Sequence, residues 1–191
     1  MLIQALIFLL DAVASAFVTV LLLRFHLQVT RASFNNPLAQ FCMALTDFVV
    51  KPMRRVVPGL WGLDMATLLL AWLVQYLLLL LVVALKGSAL SLSPLAFGGL
   101  ALLALLELAK TALWMVIFLQ FMLFVISFVN PHSPYMGLLS AMNRPFVRRI
   151  QKFIPPIGNI DLSPMVVMLL CSVLLNFILP WLALQIGVGL M

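Results

Sequence analysis

PLAQFCMALTDFVVKPMRRVVPGLWGLD, residues 37–64, decides how this chain is interpreted, because a second stretch repeats its pattern 97 residues later. The second stretch, PYMGLLSAMNRPFVRRIQKFIPPIGNID at residues 134–161, aligns with the first without a gap. The matched positions include the pairs Pro37/Pro134, Pro58/Pro155 and Asp64/Asp161. Each copy lies between two long apolar runs, so the sequence predicts one membrane module used twice.

The composition defines the class of protein around these two stretches. Hydrophobic residues make up 65% of the chain and charged residues 8%, whereas a soluble domain is about half apolar and about a quarter charged. The chain is therefore predicted to be an all-α membrane protein. We expect about four transmembrane helices in two tandem parallel repeats, each with an interfacial amphipathic helix between its spans.

Four apolar regions are long enough to cross a bilayer, which takes about 20 helical residues. The third region is too long for one ordinary span. It is either one tilted helix that projects from the membrane, or a short helix followed by a span from about Leu106, with a break at Gly98-Gly99. Pro180 is expected to kink or end the fourth region. The regions are Leu2–Leu27, Met65–Leu85, a span within Leu95–Val129, and Pro164–Ile186.

The positive charges predict the orientation of the two repeats. Nine of the eleven Lys and Arg residues lie in the windows 24–55 and 144–152. Both windows are expected in the cytoplasm, because cytoplasmic loops are enriched in these residues. Both termini are then expected outside the cytoplasm. The predicted repeats are residues 1–88, with a basic element at 36–58, and residues 89–191, with a basic element at 133–155.

Each basic element starts like a helix and ends like a turn. Asn36-Pro37 and Ser133-Pro134 place a capping residue before a proline at the first helical position, and Pro58 and Pro155 end the elements. Apolar residues recur at spacings of three and four, which is typical of a helix lying in the membrane interface. The elements either orient the protein or form a docking surface, two compatible roles. The candidate residues for binding lipid or a partner are Arg31, Lys51, Arg54, Arg55, Arg144, Arg148, Arg149 and Lys152.

Five acidic or basic residues outside these clusters are also candidates. Asp64 and Asp161 precede spans, so each either caps the following helix or forms a salt bridge with the preceding Arg cluster. Asp11, Glu107 and Lys110 lie at or near membrane depth, where charges are costly and usually face protein or water. They either line an ion path between the repeats or lie near the outer interface. Glu107 and Lys110 are three residues apart and can pair with each other.

Catalytic, metal and cofactor motifs are absent from the sequence, which argues against an enzyme. Neither Cys42 nor Cys171 belongs to a CxxC pair. The cations adjoin apolar spans, so anionic lipid headgroups are a better match than nucleic acid. A second membrane protein is the other expected partner, and homo-oligomers remain an alternative.

The residues that carry a family resemblance are LLLRFHLQ at 21–28, SFNNPLAQF at 33–41 and KPMRRVVP at 51–58, with GNIDLSP at 158–164 in the second copy. The chain resembles the YggT family of small bacterial membrane proteins. The second copy departs from the pattern, with Arg149 in place of Pro52 and Gln151 in place of Arg54. Arg54 and Arg55 are therefore stronger candidates for binding lipid or a partner than Gln151 and Lys152.

What the resemblance implies about function falls into two classes. Location in the bacterial inner membrane is implied for both. One class is a non-enzymatic scaffold or assembly factor that engages a partner or anionic lipid through the paired basic elements. The other is a small ion-transport component or channel modulator linked to potassium and osmotic homeostasis.

Overall fold

The computed structural model describes residues 1–32, 36–59, 62–86, 94–130, 132–153 and 161–188. In these ranges the chain is helical and has no β-strand. Two shorter helices that contain several Lys and Arg residues each follow a long apolar helix. The elements are α1 (Leu2–Val29), α2 (Pro37–Val56), α3 (Met65–Leu85), α4 (Pro94–Val129), α5 (Met136–Gln151), α6 (Ser163–Val173), a π-helical segment (Leu174–Ile178) and α7 (Leu179–Val188).

Four helical stretches are long and apolar enough to cross a membrane, which confirms that part of the predicted fold. At about 1.5 Å per residue, the 21 residues of α3 span roughly 32 Å, close to the thickness of a bilayer core. The architecture is compatible with a multi-pass membrane protein. The stretches are Leu2–Val29, Met65–Leu85, Ala96–Val129 and Ser163–Ile186.

The long third region forms one unbroken helix of 36 residues, so the predicted alternative with a break at Gly98-Gly99 is wrong. The part of α4 next to the two glycines packs against α3. There the indole N–H of Trp72, on α3, donates to the Ala101 carbonyl of α4 at 3.1 Å. Leu100 and Ala104 nearby are buried. This packing next to the glycines offsets their low helix propensity, which costs only about 1 kcal/mol each.

Pro180 does not end the fourth region, because the helix continues to Val188. A π-helical segment directly precedes the proline. Proline lacks an N–H, and its ring clashes with the carbonyl four residues earlier in a regular α-helix. Widening the preceding turn to π geometry accommodates the ring without breaking the helix. The expected distortion is thus present, but the expected end of the helix is not.

The main apolar core joins the two halves of the chain. It contains buried side chains from α1, α2, α3, α4 and α5, and a smaller cluster joins α4 to α6 through Val116, Val167 and Cys171. The C-terminal part of α1 contacts both basic helices. His26 Nε2 lies 2.9 Å from the Met142 carbonyl of α5, and Arg24 binds α2. The two basic helices therefore flank the same end of α1.

Candidate functional site

Helix α2 forms where the sequence predicts it, and its start follows from the capping residue. The Asn36 side chain accepts from the Ala39 N–H at 2.8 Å, and Pro37 takes the first helical position. The buried residues Ala39, Cys42, Thr46 and Val50 recur every three or four positions and pack into the main core. The remaining faces of α2 carry its charges.

Arg24 holds α2 against α1 through a largely buried ion pair. Its Nη1 atom donates to Thr46 Oγ1 at 2.6 Å and to Asp47 Oδ1 at 2.8 Å. Lys51 Nζ contacts the other oxygen of Asp47 at 2.8 Å. The hydrogen bond from Lys51, with that from Arg24, lowers the pKa of the Asp47 carboxyl below its ordinary value. Sequence analysis did not select Arg24 as a site residue, because its partner lies 23 residues away.

Asp64 both caps α3 and pairs with Arg54, so the two alternatives considered from the sequence are present together. Its side chain is 4% exposed and accepts from Arg54 Nη2 at 2.5 Å and Nε at 3.1 Å. Thr67 donates through its hydroxyl at 2.5 Å and its N–H at 3.3 Å. Burial alone would raise the pKa of Asp64, but the hydrogen bonds from Arg54 and Thr67 outweigh it and lower the pKa.

A weaker version of this contact occurs 97 residues later. Asp161 Oδ2 accepts from Gln151 Nε2, and its Oδ1 accepts from the Ser163 N–H, both at 2.9 Å. Asp161 thus accepts a hydrogen bond from the first residue of α6, although it lies outside that helix. Its side-chain partner, Gln151, is neutral, whereas the partner of Asp64 is charged. Helix α5 begins at Met136, two residues after the start predicted at Pro134, since residues 134 and 135 form a turn. Pro155 lies outside the described residues.

Five cations line one shallow cleft, which we call the basic cleft. It has a volume of about 480 Å³, and four of its cations come from the α5 region, while the fifth, Arg31, follows α1. All five residues are exposed, and none forms an ion pair within the described part of the chain. None of the described residues that line the cleft is acidic. The five cations are Arg31, Arg144, Arg148, Arg149 and Lys152.

The backbone at the end of α1 brings Arg31 into this cleft. Arg31 has a φ of 51°, a left-handed conformation that is uncommon for any residue except glycine. The Ala32 N–H closes the turn by donating to the Leu27 carbonyl at 3.0 Å. Arg31 was a candidate from the sequence, but nothing in the sequence associated it with α5.

The basic element of α2 presents less free charge than its sequence suggests. Lys51 pairs with Asp47, and Arg54 pairs with Asp64. Among the α2 cations selected from the sequence, Arg55 is exposed and forms no ion pair with a described residue. Most of the positive charge available to an external anion is therefore in the basic cleft, and α2 adds Arg55.

The intramembrane candidates share a second concavity, which we call the interhelical cavity. Asp11, Glu107 and Lys110 all line this space of about 1240 Å³ between α1, α3 and α4. Lys110 Nζ lies 3.2 Å from Glu107 Oε2. Gln75 is 5% exposed, and its Oε1 has no hydrogen-bond partner in the described part of the chain. Among the described residues, the cavity lining thus combines the Glu107–Lys110 pair, Asp11 without an ion pair, a second lysine, Lys86, and a free acceptor.

The chemistry available at these sites is ionic and hydrogen-bonding. Within the described residues, no three His, Cys, Asp or Glu side chains lie close enough together to hold a metal ion. Cys42 and Cys171 are buried free thiols. Burial raises the pKa of the Cys42 thiol, which disfavours the reactive thiolate.

Comparison with known proteins assigns this arrangement to a family. The CCB3/YggT family model matches residues 3–85 and 101–182. An uncharacterized protein of Pseudomonas aeruginosa is 32% identical, over 84% of this chain and 81% of the relative. An uncharacterized protein from the proC 3′ region of Vibrio alginolyticus is 32% identical, over 83% and 85%. The uncharacterized YggT of Escherichia coli K12 is 30% identical, over 90% and 87%. No solved structure matches the chain significantly.

Proposed function

This chain belongs to the CCB3/YggT family, and from its distribution of charge we propose that it is a non-enzymatic scaffold or accessory protein of the bacterial inner membrane. It engages an anionic partner at the basic cleft. The observation that carries this proposal is the set of five exposed cations with no acid among the lining residues. Such a set attracts acidic surfaces and headgroups at long range.

The proposed topology consists of two parallel repeats with their basic elements in the cytoplasm and both termini outside it. Two separate segments match the family model, and the contacts Arg54–Asp64 and Gln151–Asp161 keep the same 97-residue offset. These observations support a duplicated module. The enrichment of Lys and Arg around α2 and α5 supports the cytoplasmic orientation. Anionic lipid and a second membrane protein, including a second copy of the chain, are the proposed partners.

Reversing two charges of the basic cleft is expected to abolish partner capture. The double variant Arg148→Glu/Arg149→Glu places two acids among the remaining cleft cations, so an acidic partner loses attraction and gains repulsion. We expect at least a tenfold loss of the partners that co-purify with the protein from native membranes. The measurement is affinity purification in mild detergent followed by quantitative mass spectrometry.

The matched control makes an equal change in net charge, but it makes that change on α2. Lys51→Glu/Arg55→Glu alters exposed residues that do not line the cleft, and we expect it to retain most of the partners. Retention of all partners by the cleft variant, with the protein still folded, would contradict the proposal. Equal loss in both variants would contradict the assignment of binding to the cleft.

A second candidate function, an ion-transport component linked to potassium and osmotic homeostasis, rests on the interhelical cavity. Asp11 and Glu107 come from different halves of the chain and line the same space. Charged residues that face a cavity at membrane depth commonly mark an ion pathway. Aromatic and aliphatic residues, including Phe8, Trp114 and Phe118, make up much of the remaining lining.

Neutralising Asp11 tests this second function directly. If the cavity carries cations, Asp11→Asn should reduce potassium flux into liposomes containing the purified protein about tenfold or more, because a cation loses its counter-charge in a low-dielectric site. The measurement is a fluorescence flux assay with a potassium-sensitive dye. Asp161→Asn is the control, since Asp161 does not line the cavity. Absence of flux above that of empty liposomes in the unaltered protein would reject this function.

A further inference from the structure

The basic cleft adjoins a second cavity, whose lining is partly apolar. We call this space, of about 650 Å³ between α4, α5 and the start of α6, the acyl groove. Ala141, Arg144 and Arg148 line both the groove and the cleft. A single ligand can therefore contact both spaces across these shared residues. The apolar walls of the groove include Leu123, Phe124, Phe128, Met136 and Val147.

The exposed end of the groove is aromatic and accessible from the outside. The rings of Phe124 and Phe128 lie 4.9 Å apart in a tilted pair, and Phe128 is 57% exposed. Both residues lie on α4, one of the four helices apolar enough to span a membrane. Because the last turns of α4 form one wall, the groove is placed to receive an apolar chain from the surrounding bilayer.

Asn143 supplies a polar contact inside the groove. It is 1% exposed, and its Nδ2 atom donates to the Leu119 and Leu139 carbonyls at 3.1 and 2.9 Å. Its Oδ1 atom is buried and has no partner in the described part of the chain. Buried acceptors without a partner are costly, so a glycerol hydroxyl of a bound phospholipid that donates to Oδ1 would be favoured. Asp161, the acid of the groove, is already engaged by Gln151 and Ser163.

We infer that the basic cleft and the acyl groove together bind one phospholipid that carries at least two negative charges. Its phosphates lie among the cations of the cleft and one acyl chain lies in the groove. This inference rests on the proposed function, in which the cleft engages an anion, and it names the class of that anion. Basic pockets beside membrane helices are known sites for lipids of this kind.

The number of charges favours a multiply charged lipid. Five cations converge on the cleft, and a single phosphodiester would leave four of them mutually repelling. Two phosphates form charge-assisted hydrogen bonds with more of the guanidinium groups, which suit phosphate geometry. A soluble diphosphate could pair with the cations of the cleft but would leave the adjoining groove unfilled. The groove therefore favours a lipid as the ligand.

Native mass spectrometry of the purified full chain tests the inference. The probes are cardiolipin, which has two phosphates, and singly charged phosphatidylglycerol. We expect cardiolipin to bind at least tenfold more tightly than phosphatidylglycerol. Arg144→Ala/Arg148→Ala, which removes the two shared cations, is expected to reduce cardiolipin affinity at least tenfold. Its matched control, Lys51→Ala/Arg55→Ala, is expected to change that affinity less than twofold.

Two further measurements distinguish binding of the whole lipid from binding of its phosphates alone. Ser140→Phe fills the groove and leaves every cation in place, so it should weaken cardiolipin binding at least fivefold. Inorganic pyrophosphate at millimolar concentration should compete poorly with cardiolipin. Unchanged cardiolipin affinity in Ser140→Phe, equal affinity for the two lipids, or pyrophosphate binding as tight as cardiolipin binding would each overturn the inference.

Failure of this inference is distinguishable from failure of the proposed function. If cardiolipin does not bind but Arg148→Glu/Arg149→Glu still loses its co-purifying proteins, the cleft is a protein-docking site and the inference alone is rejected. If partner capture is unaffected while cardiolipin binding depends on the shared arginines, the lipid site stands and the scaffold function is rejected.

Discussion

Replacing Asp47 with alanine is expected to lower the free energy of unfolding by about 3 kcal/mol, because it leaves Arg24 buried beside only one neutral partner. The Arg24 side chain is 5% exposed, and Asp47 supplies the carboxylate at 2.8 Å. Thr46 still accepts one hydrogen bond but cannot balance the charge. The measurement is unfolding in detergent followed by circular dichroism.

Two companion variants isolate the buried charge as the cause. Lys51→Met removes the exposed partner of the same carboxylate and should cost less than about 0.5 kcal/mol. The double variant Arg24→Met/Asp47→Ala should be more stable than Asp47→Ala alone, since no unpaired buried charge remains. A double variant whose loss equals the sum of the two single losses would show that the ion pair is not the source of the effect.

Replacing Asp64 with asparagine is expected to cost about 2–3 kcal/mol. Asparagine can still cap α3, but it no longer neutralises Arg54 or accepts two charge-assisted hydrogen bonds from it. Arg54 is 46% exposed, so water partly compensates its lost partner and the effect stays below that of a fully buried pair. The same unfolding assay measures the loss.

The second copy provides the control for Asp64. Asp161→Asn alters a carboxylate whose side-chain partner is the neutral Gln151, and we expect a loss of about 1 kcal/mol or less. Arg54→Gln converts the first contact into the type found in the second copy and should reproduce much of the Asp64→Asn effect. Equal losses for Asp64→Asn and Asp161→Asn would contradict the role assigned to Arg54.

The Asp64 effect has a defined pH dependence. The pKa of Asp64 is lowered on folding from its ordinary value of 3.8. Its contribution is therefore fully present well above that value and is lost as the pH falls through it toward the lower folded pKa. The stability difference between the unaltered protein and Asp64→Asn should shrink steadily below about pH 5. A difference that is constant from pH 7 to pH 3 would contradict this account.

Local features of the sequence predicted the class of fold. The four apolar runs, the cap at Asn36 and the starts of α2 and α3 depend on residues close together in the chain, so composition and spacing were sufficient. The family resemblance, carried by short motifs, is confirmed by matches over nearly the whole chain. The duplicated pattern also identified Asp64 and Asp161 as residues at corresponding positions.

Some local predictions were wrong in part. Pro180 was expected to kink or end its helix; a π-helical distortion precedes it, but the helix does not end there. The glycines at 98 and 99 lie within one helix, because contacts with α3 stabilise that part of α4. The start predicted for α5 at Pro134 was two residues early.

The sequence by itself determined that nine cations gather in two windows, and only the tertiary structure decided which of them are free. Arg54 and Arg148 are both cations of the basic elements, yet Arg54 faces a buried carboxylate and Arg148 faces an open cleft. Arg31 joins that cleft across the boundary between the two halves. Coulomb and hydrogen-bond energies depend on the separation of groups in space, which composition does not contain. Apolar runs and caps act within a few residues, so they can be recognised before the chain folds.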